Sequence, residues 1–195
     1  MLRETFLYLI SAAVLQNLVL HTGFGCSLLV RTAKRGKDTA FFLLLITLFS
    51  LCTVLVMFPL DLWLGLNWSV KLYRPVLAVA VTSVLYLLSC LILKVGFPRL
   101  YVRYSHVLPS AAFNNLVVAV ALIINHQFSM ALLPALGFAL GSCIGFCLLT
   151  VCVRFCIDRT DHEDMPKAFR GLPIHMLFLG ILALAFMGFS SPYNF

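Results

Sequence analysis

Acidic residues are scarce in this chain. Seven Asp and Glu stand against fourteen Lys and Arg in 195 residues, and charged residues of both signs reach only 11%, where soluble domains hold about a quarter. Long polar stretches are also missing. The longest, Arg154 to Arg170, spans 17 residues, which leaves no room for a soluble catalytic domain. With 62% hydrophobic residues and a mean hydropathy of +1.04, a water-soluble globule is excluded. All seven carboxylates fall at or near the ends of apolar runs or between them, so no mid-membrane carboxylate is there to relay protons or sodium through this chain alone. No Ser/His/Asp grouping, P-loop or dinucleotide fingerprint occurs, and no catalytic residue is assigned.

The net charge of +7 does not point to nucleic acid, because the basic residues flank apolar runs, where orientation in a membrane requires them. Met1-Leu2-Arg3-Glu4 lacks a basic n-region and a small-residue cleavage site ahead of the first run, so a removable signal peptide is not expected. The seven cysteines, an odd number lying nearly all in apolar runs, do not form a disulfide framework. They read first as small buried hydrophobes.

Six apolar runs are long enough to be considered as spans: Phe6 to Val30, Ala40 to Leu60, Val70 to Leu93, Val107 to Ile124, Ala131 to Cys152 and Leu172 to Phe189. Continuous segments such as Phe41-Phe42-Leu43-Leu44-Leu45-Ile46 lack the alternation of a membrane barrel, so the fold class is an all-α integral membrane protein. The connections after spans one, three and five carry Arg31, Lys34, Arg35, Lys37, Lys94, Arg99, Arg103, Arg154, Arg159, Lys167 and Arg170; the other side carries only Arg3, Lys71 and Arg74. The richer face is the cytoplasmic one, which places both termini outside the cytoplasm.

Gln16-Asn17-Leu18-Val19 recurs as Asn114-Asn115-Leu116-Val117, close to the midpoint and in the first span of each half. Residues 1–98 and 99–195 then form one membrane domain of two inverted three-helix repeats, since an odd number of spans reverses the second half. Spans one and four are polar where lipid-facing helices are not. Gln16, Asn17, His21, Thr22, Gly23, Gly25 and Cys26 interrupt the first, and Asn114 and Asn115 the fourth. Such faces must point into protein. They either make interhelical hydrogen bonds or mark broken helices whose backbone lines a site, with Asn17, Gly23, Gly25 and Asn114 at the breaks.

In span five, Gly137, Gly141 and Gly145 recur every fourth residue and form a packing stripe that lets another backbone approach closely. Cys143 and Cys147, then Cys152 and Cys156, are also spaced by four, but the five-residue step between the pairs turns them apart and disfavours a metal site. Asp158, Asp161, His162, Glu163 and Asp164 read as a solvated loop.

The segment Asp164-Met165-Pro166, with Phe169-Arg170-Gly171 and then Leu184-Ala185-Phe186-Met187-Gly188-Phe189-Ser190, resembles the end of the RnfA and NqrE subunits of the Rnf/Nqr membrane-subunit family. Asn17-Leu18-Val19-Leu20 with Gly25-Cys26, and Val118 to Leu122 after Asn114, are similar to that family's first and fourth spans. The resemblance implies six spans as inverted repeats in a bacterial or archaeal cell membrane. It implies a homologous six-span partner subunit within a larger complex, and electrons passed across the bilayer with coupling to Na⁺ or H⁺. It also implies a [2Fe-2S] cluster shared with that partner, one thiolate coming from the first span and one from the fourth. Cys26 would be the first-span metal ligand; Asn115 stands where the fourth-span cysteine is expected. The alternative is a non-redox scaffold or small-solute transporter that kept the fold after losing the cluster.

Overall fold

A computed structural model of the chain describes residues 2–15, 17–23, 25–33, 39–64, 68–127, 131–160 and 171–188. Gln16, Phe24, the basic segment from Lys34 to Lys37, the acidic patch from Asp161 to Asp164 and most of the C-terminal motif lie outside them. Regular structure among the described residues is entirely helical. It runs α1 (Leu2–Ile10), a π-helical turn (Ser11–Leu15), α2 (Leu18–Thr22), α3 (Cys26–Ala33), α4 (Thr39–Leu64), α5 (Trp68–Gly96), α6 (Pro98–Tyr104), α7 (Leu108–Ala112), α8 (Asn115–Gln127), α9 (Leu132–Thr160) and α10 (Leu172–Met187).

Three stretches, in α4, α5 and α9, are long and apolar enough to cross a membrane; Leu108–Ile124 and Leu172–Met187 are shorter apolar segments. Helices α4, α5 and α9 extend past the apolar runs at both ends or one, because the sequence rule stops at the first charge while a helix does not. Asp158 accordingly sits in the last turns of α9, not in a loop. Prolines open α6, α7 and α10, where a fixed φ suits the first turn and the missing N–H has no partner to lose.

In hydrocarbon a hydroxyl must find its partner within the protein. Thr32, Thr47, Thr53, Ser142 and Thr150 do so by donating to the carbonyl four residues earlier, at 2.7, 2.9, 2.7, 2.9 and 2.8 Å. This keeps polar side chains inside apolar helices without demanding a neighbour.

The core lies around α4 and α9. Phe42, Ile46 and Met57 of α4, Phe138 and Phe146 of α9, Leu29 of α3 and Leu116 of α8 are fully buried. In the most apolar stretch of α9, 61% of the residues are buried, against 44% in α4 and 11% in α5. Helix α5 therefore lies at the periphery and offers most of its surface to whatever surrounds the protein.

At the glycine stripe two stretches of backbone come close together. A methyl on Gly137 would stand 2.7 Å from both Cγ2 and O of Thr5. One on Gly141 would overlap the Leu9 carbonyl oxygen, and one on Gly145 would stand 2.8 Å from the Ala13 oxygen and 2.6 Å from Asn17 Nδ2. Thr5, Leu9 and Ala13 also recur every fourth residue, so the first span lies along the stripe with backbone against backbone.

Candidate functional site

Two interruptions in the first apolar run of the sequence (span one) and one in the fourth (span four) define the site. The first begins with the π-helical turn, whose extra residue per turn pulls the chain out of register. Asn17 then leaves the helical region (φ −63°, ψ 111°) and caps α2: its Oδ1 accepts from Val19 N–H at 3.1 Å. Asn17 Nδ2 donates back to the Ala13 carbonyl at 3.2 Å, an oxygen that the altered backbone course leaves available. Both ends of a side chain only 4% exposed are thereby satisfied.

The second interruption follows one turn later. Gly23 (φ 73°) ends α2 in the left-handed region and returns its N–H to the Val19 oxygen at 3.0 Å; Gly25 (φ 85°) turns left-handed again before α3. A side chain would strain either position, which is why two glycines bracket this turn. Cys26 opens α3, half-buried, with its Sγ donating to the same Val19 oxygen at 3.7 Å.

Span four is interrupted at Phe113 and Asn114, between α7 and α8. Asn114 Oδ1 accepts from Leu116 N–H at 3.1 Å, the same turn that Asn17 makes. Asn114 is 1% exposed, and its Nδ2 has no hydrogen-bond partner among the described residues. A methyl on Gly25 would stand 3.4 Å from Asn114 Oδ1 and 3.5 Å from a ring carbon of Phe146. The second break of span one therefore meets the break of span four across one contact.

Beside this contact lies an open cavity of about 380 Å³, lined by Gly25, Leu28, Pro109, Ser110, Phe113, Asn114 and Asn115. The structure thus brings together Gly25, Asn114 and Asn115, with Cys26 next in the chain. It does not bring Asn17 or Gly23 there. Asn17 borders Gly145 and a small cleft shared with His21 and Phe186, and Gly23 has open space around it. The four cysteines of α9 split by burial, Cys143 and Cys156 buried, Cys147 and Cys152 partly so.

Sequence reasoning missed two residues of the site and one ion pair elsewhere. Ser110 and Phe113 line the cavity, and the Phe113 ring is set at 5.6 Å from that of Tyr86 on α5. Away from the cavity, Arg74 pairs with Asp61 through Nε to Oδ1 at 3.2 Å and Nη2 to Oδ2 at 2.8 Å, and its Nη1 donates to the Leu122 oxygen at 3.4 Å. Opposite charges on the facing ends of consecutive spans were the available signal for this pair.

Comparison with known proteins adds what geometry cannot. Residues 5–191 match the family described as Rnf-Nqr subunit, membrane protein. Among curated relatives, the A-type subunit of the ion-translocating oxidoreductase complex of Alcanivorax borkumensis is 29% identical over 188 residues, covering 96% of each chain. The protein of the same name from Pseudomonas paraeruginosa is 30% identical over 196 residues, again covering 96% of each. The match runs through both interrupted spans and the glycine stripe, and the chain belongs to the Rnf-Nqr family of membrane subunits.

Proposed function

We propose that this chain is an integral membrane subunit of an ion-translocating oxidoreductase complex, helping pass electrons across the bilayer and couple them to Na⁺ or H⁺ movement. The observation that carries the reading is the near-complete match to subunits of that name, 96% of each chain. The two Asn-capped interruptions give it a structural basis, since irregular backbone is tolerated at membrane depth only where it is packed in protein or lines a cavity. This function is favoured over a scaffold or solute transporter.

Six spans in two inverted repeats, residues 1–98 and 99–195, are part of the proposal. Its support is the matching turn at Asn17 and Asn114 and the short helical segments Ser11–Leu15 and Leu108–Ala112 that precede each at the same spacing. A homologous six-span subunit is the proposed neighbour within the cell membrane, with both termini outside the cytoplasm.

The expected [2Fe-2S] cluster fits this donor set poorly. Iron in such a cluster is held by thiolates. Cys26 offers one thiol at the breaks, whereas position 115 presents an exposed amide. A cluster drawing two thiolates from each subunit does not match these residues, so any cluster held here takes only Cys26 from this chain.

The test is deletion of the chain from its native membrane, followed by affinity purification of the complex through another subunit. Loss of donor-driven ion uptake in vesicles, restored by the wild-type chain, is the expected result. Unchanged uptake in the deletion strain would remove this subunit from the reaction. Iron content and low-temperature EPR of the anaerobic complex, wild type against Cys26→Ser, then settle whether Cys26 ligates metal.

A further inference from the structure

We infer that the cavity between the second break of span one and the break of span four binds a neutral, membrane-soluble molecule through a carbonyl oxygen, with Asn114 Nδ2 as the donor. One end of the Asn114 amide is already committed. Oδ1 accepts from Leu116 N–H, which fixes the orientation of the amide, because a flipped group would set two donors against each other. Nδ2 is then the free end. It is a buried donor with no partner among the described residues, on a side chain that lines the cavity. A buried donor left unsatisfied is costly, and the cavity that the same side chain lines is where a partner can be admitted.

The rest of the wall agrees with an acceptor. Asn115 and Ser110 add an amide and a hydroxyl, and α8 begins here, so the partial positive charge of a thirteen-residue helix faces the same space. This environment suits an oxygen lone pair. The lining residues carry no full positive charge, and burying an uncompensated anion among Leu28, Pro109 and Phe113 would be far costlier than burying a neutral carbonyl. About 380 Å³ is the size of a small-molecule pocket, and Phe113, 46% exposed, supplies an apolar wall.

Two sources carry this chemistry in a membrane: the ring ketone of a quinone and the acyl ester of a phospholipid. The site departs from the thiolate pair that the family resemblance implied at this place. The inference rests on the proposed subunit role only for the assembly in which it is tested.

The experiment uses the intact complex, photolabelled with a short-chain azido-benzoquinone and mapped by peptide mass spectrometry. Asn114→Thr and Asn114→Ser both keep an oxygen that can cap α8 while removing the Nδ2 amide donor. Labelling within residues 109–116 is expected in the wild type and should fall about tenfold in Asn114→Thr, the equivalent of one lost hydrogen bond, and measurably in Asn114→Ser. Label displaced by excess ester-linked phosphatidylcholine but not by its ether-linked analogue, which lacks the carbonyl, assigns the site to a lipid ester; label resistant to both assigns it to a ring ketone. Labelling that is absent, or equal in all three proteins, overturns the inference. So does iron that is lost on substitution at position 115. Co-purification of the other subunits is scored on the same samples, so failure of the subunit reading appears separately as a complex that does not assemble.

Discussion

Asn17 and Asn114 perform the same turn in two different spans. Each accepts with Oδ1 from the backbone N–H two residues ahead, at 3.1 Å in both cases, and each starts a new helix from an extended or irregular residue. They differ in the other end of the amide: Asn17 Nδ2 donates to Ala13, whereas Asn114 Nδ2 has no partner among the described residues. One amide is structural at both ends, and the other is structural at one end only.

Substituting the caps separates these roles. Asn17→Ala should destabilise the complex by about 1 kcal/mol, the usual cost of a lost cap, and somewhat more because Ala13 also loses its donor. Asn17→Ser keeps a capping oxygen and loses the back-donation, so it should fall between wild type and Asn17→Ala in thermal unfolding. Equal melting of all three proteins would show that the interruption is held by packing alone.

The glycine stripe makes a sharper prediction, since each of its glycines also meets a backbone oxygen that cannot swing aside. Gly145→Ala places a methyl 2.6 Å from Asn17 Nδ2 and 2.8 Å from the Ala13 oxygen. Span one must then lift off α9, at about 1–3 kcal/mol for overpacking of this kind. Gly180→Ala is the control, because nothing lies within 4 Å of the added methyl. Comparable thermal stability of the two variants would contradict this packing.

How much of this was legible in the sequence depends on whether the signal was local. The stripe at Gly137, Gly141 and Gly145 was legible, because a spacing of four has one meaning on a helix; what it packs against was not, since Thr5, Leu9 and Ala13 carry no special chemistry. The breaks were visible as Asn and Gly inside apolar runs. The register of the internal match was not: sequence identity pairs Asn17 with Asn115, a shift of 98, while the capping turns pair Asn17 with Asn114. Four letters cannot choose between neighbouring asparagines, and only the hydrogen bond to Leu116 does. The meeting of Gly25 with Asn114 joins residues nearly half the chain apart, beyond the reach of any local pattern.

Charge asymmetry predicts the orientation. Eleven Lys and Arg follow spans one, three and five, and three lie on the other side, so a reporter fused at the C-terminus should be active only outside the cytoplasm. A C-terminal tag cleaved by protease added to inside-out vesicles, and protected in intact cells, would reverse the assignment and with it the face to which each redox partner must dock.

The Asp61–Arg74 pair holds three helices together, since Asp61 lies in the last turn of α4, Arg74 lies in α5 and Leu122 belongs to α8. The side chains are 8% and 12% exposed, so the pair is largely desolvated, and removing one partner strands the other's charge. Such a loss costs about 3–5 kcal/mol, whereas replacing both partners with apolar groups is often nearly neutral. Arg74→Leu should therefore unfold or disassemble the complex at markedly lower temperature, with Asp61→Leu acting in the same direction. The double variant Asp61→Leu/Arg74→Leu should recover much of the loss, short of the wild type by whatever the contact from Nη1 to the Leu122 oxygen contributes. Additive losses in the double variant would mean that the two residues stabilise the fold independently and that the bidentate geometry does not couple them.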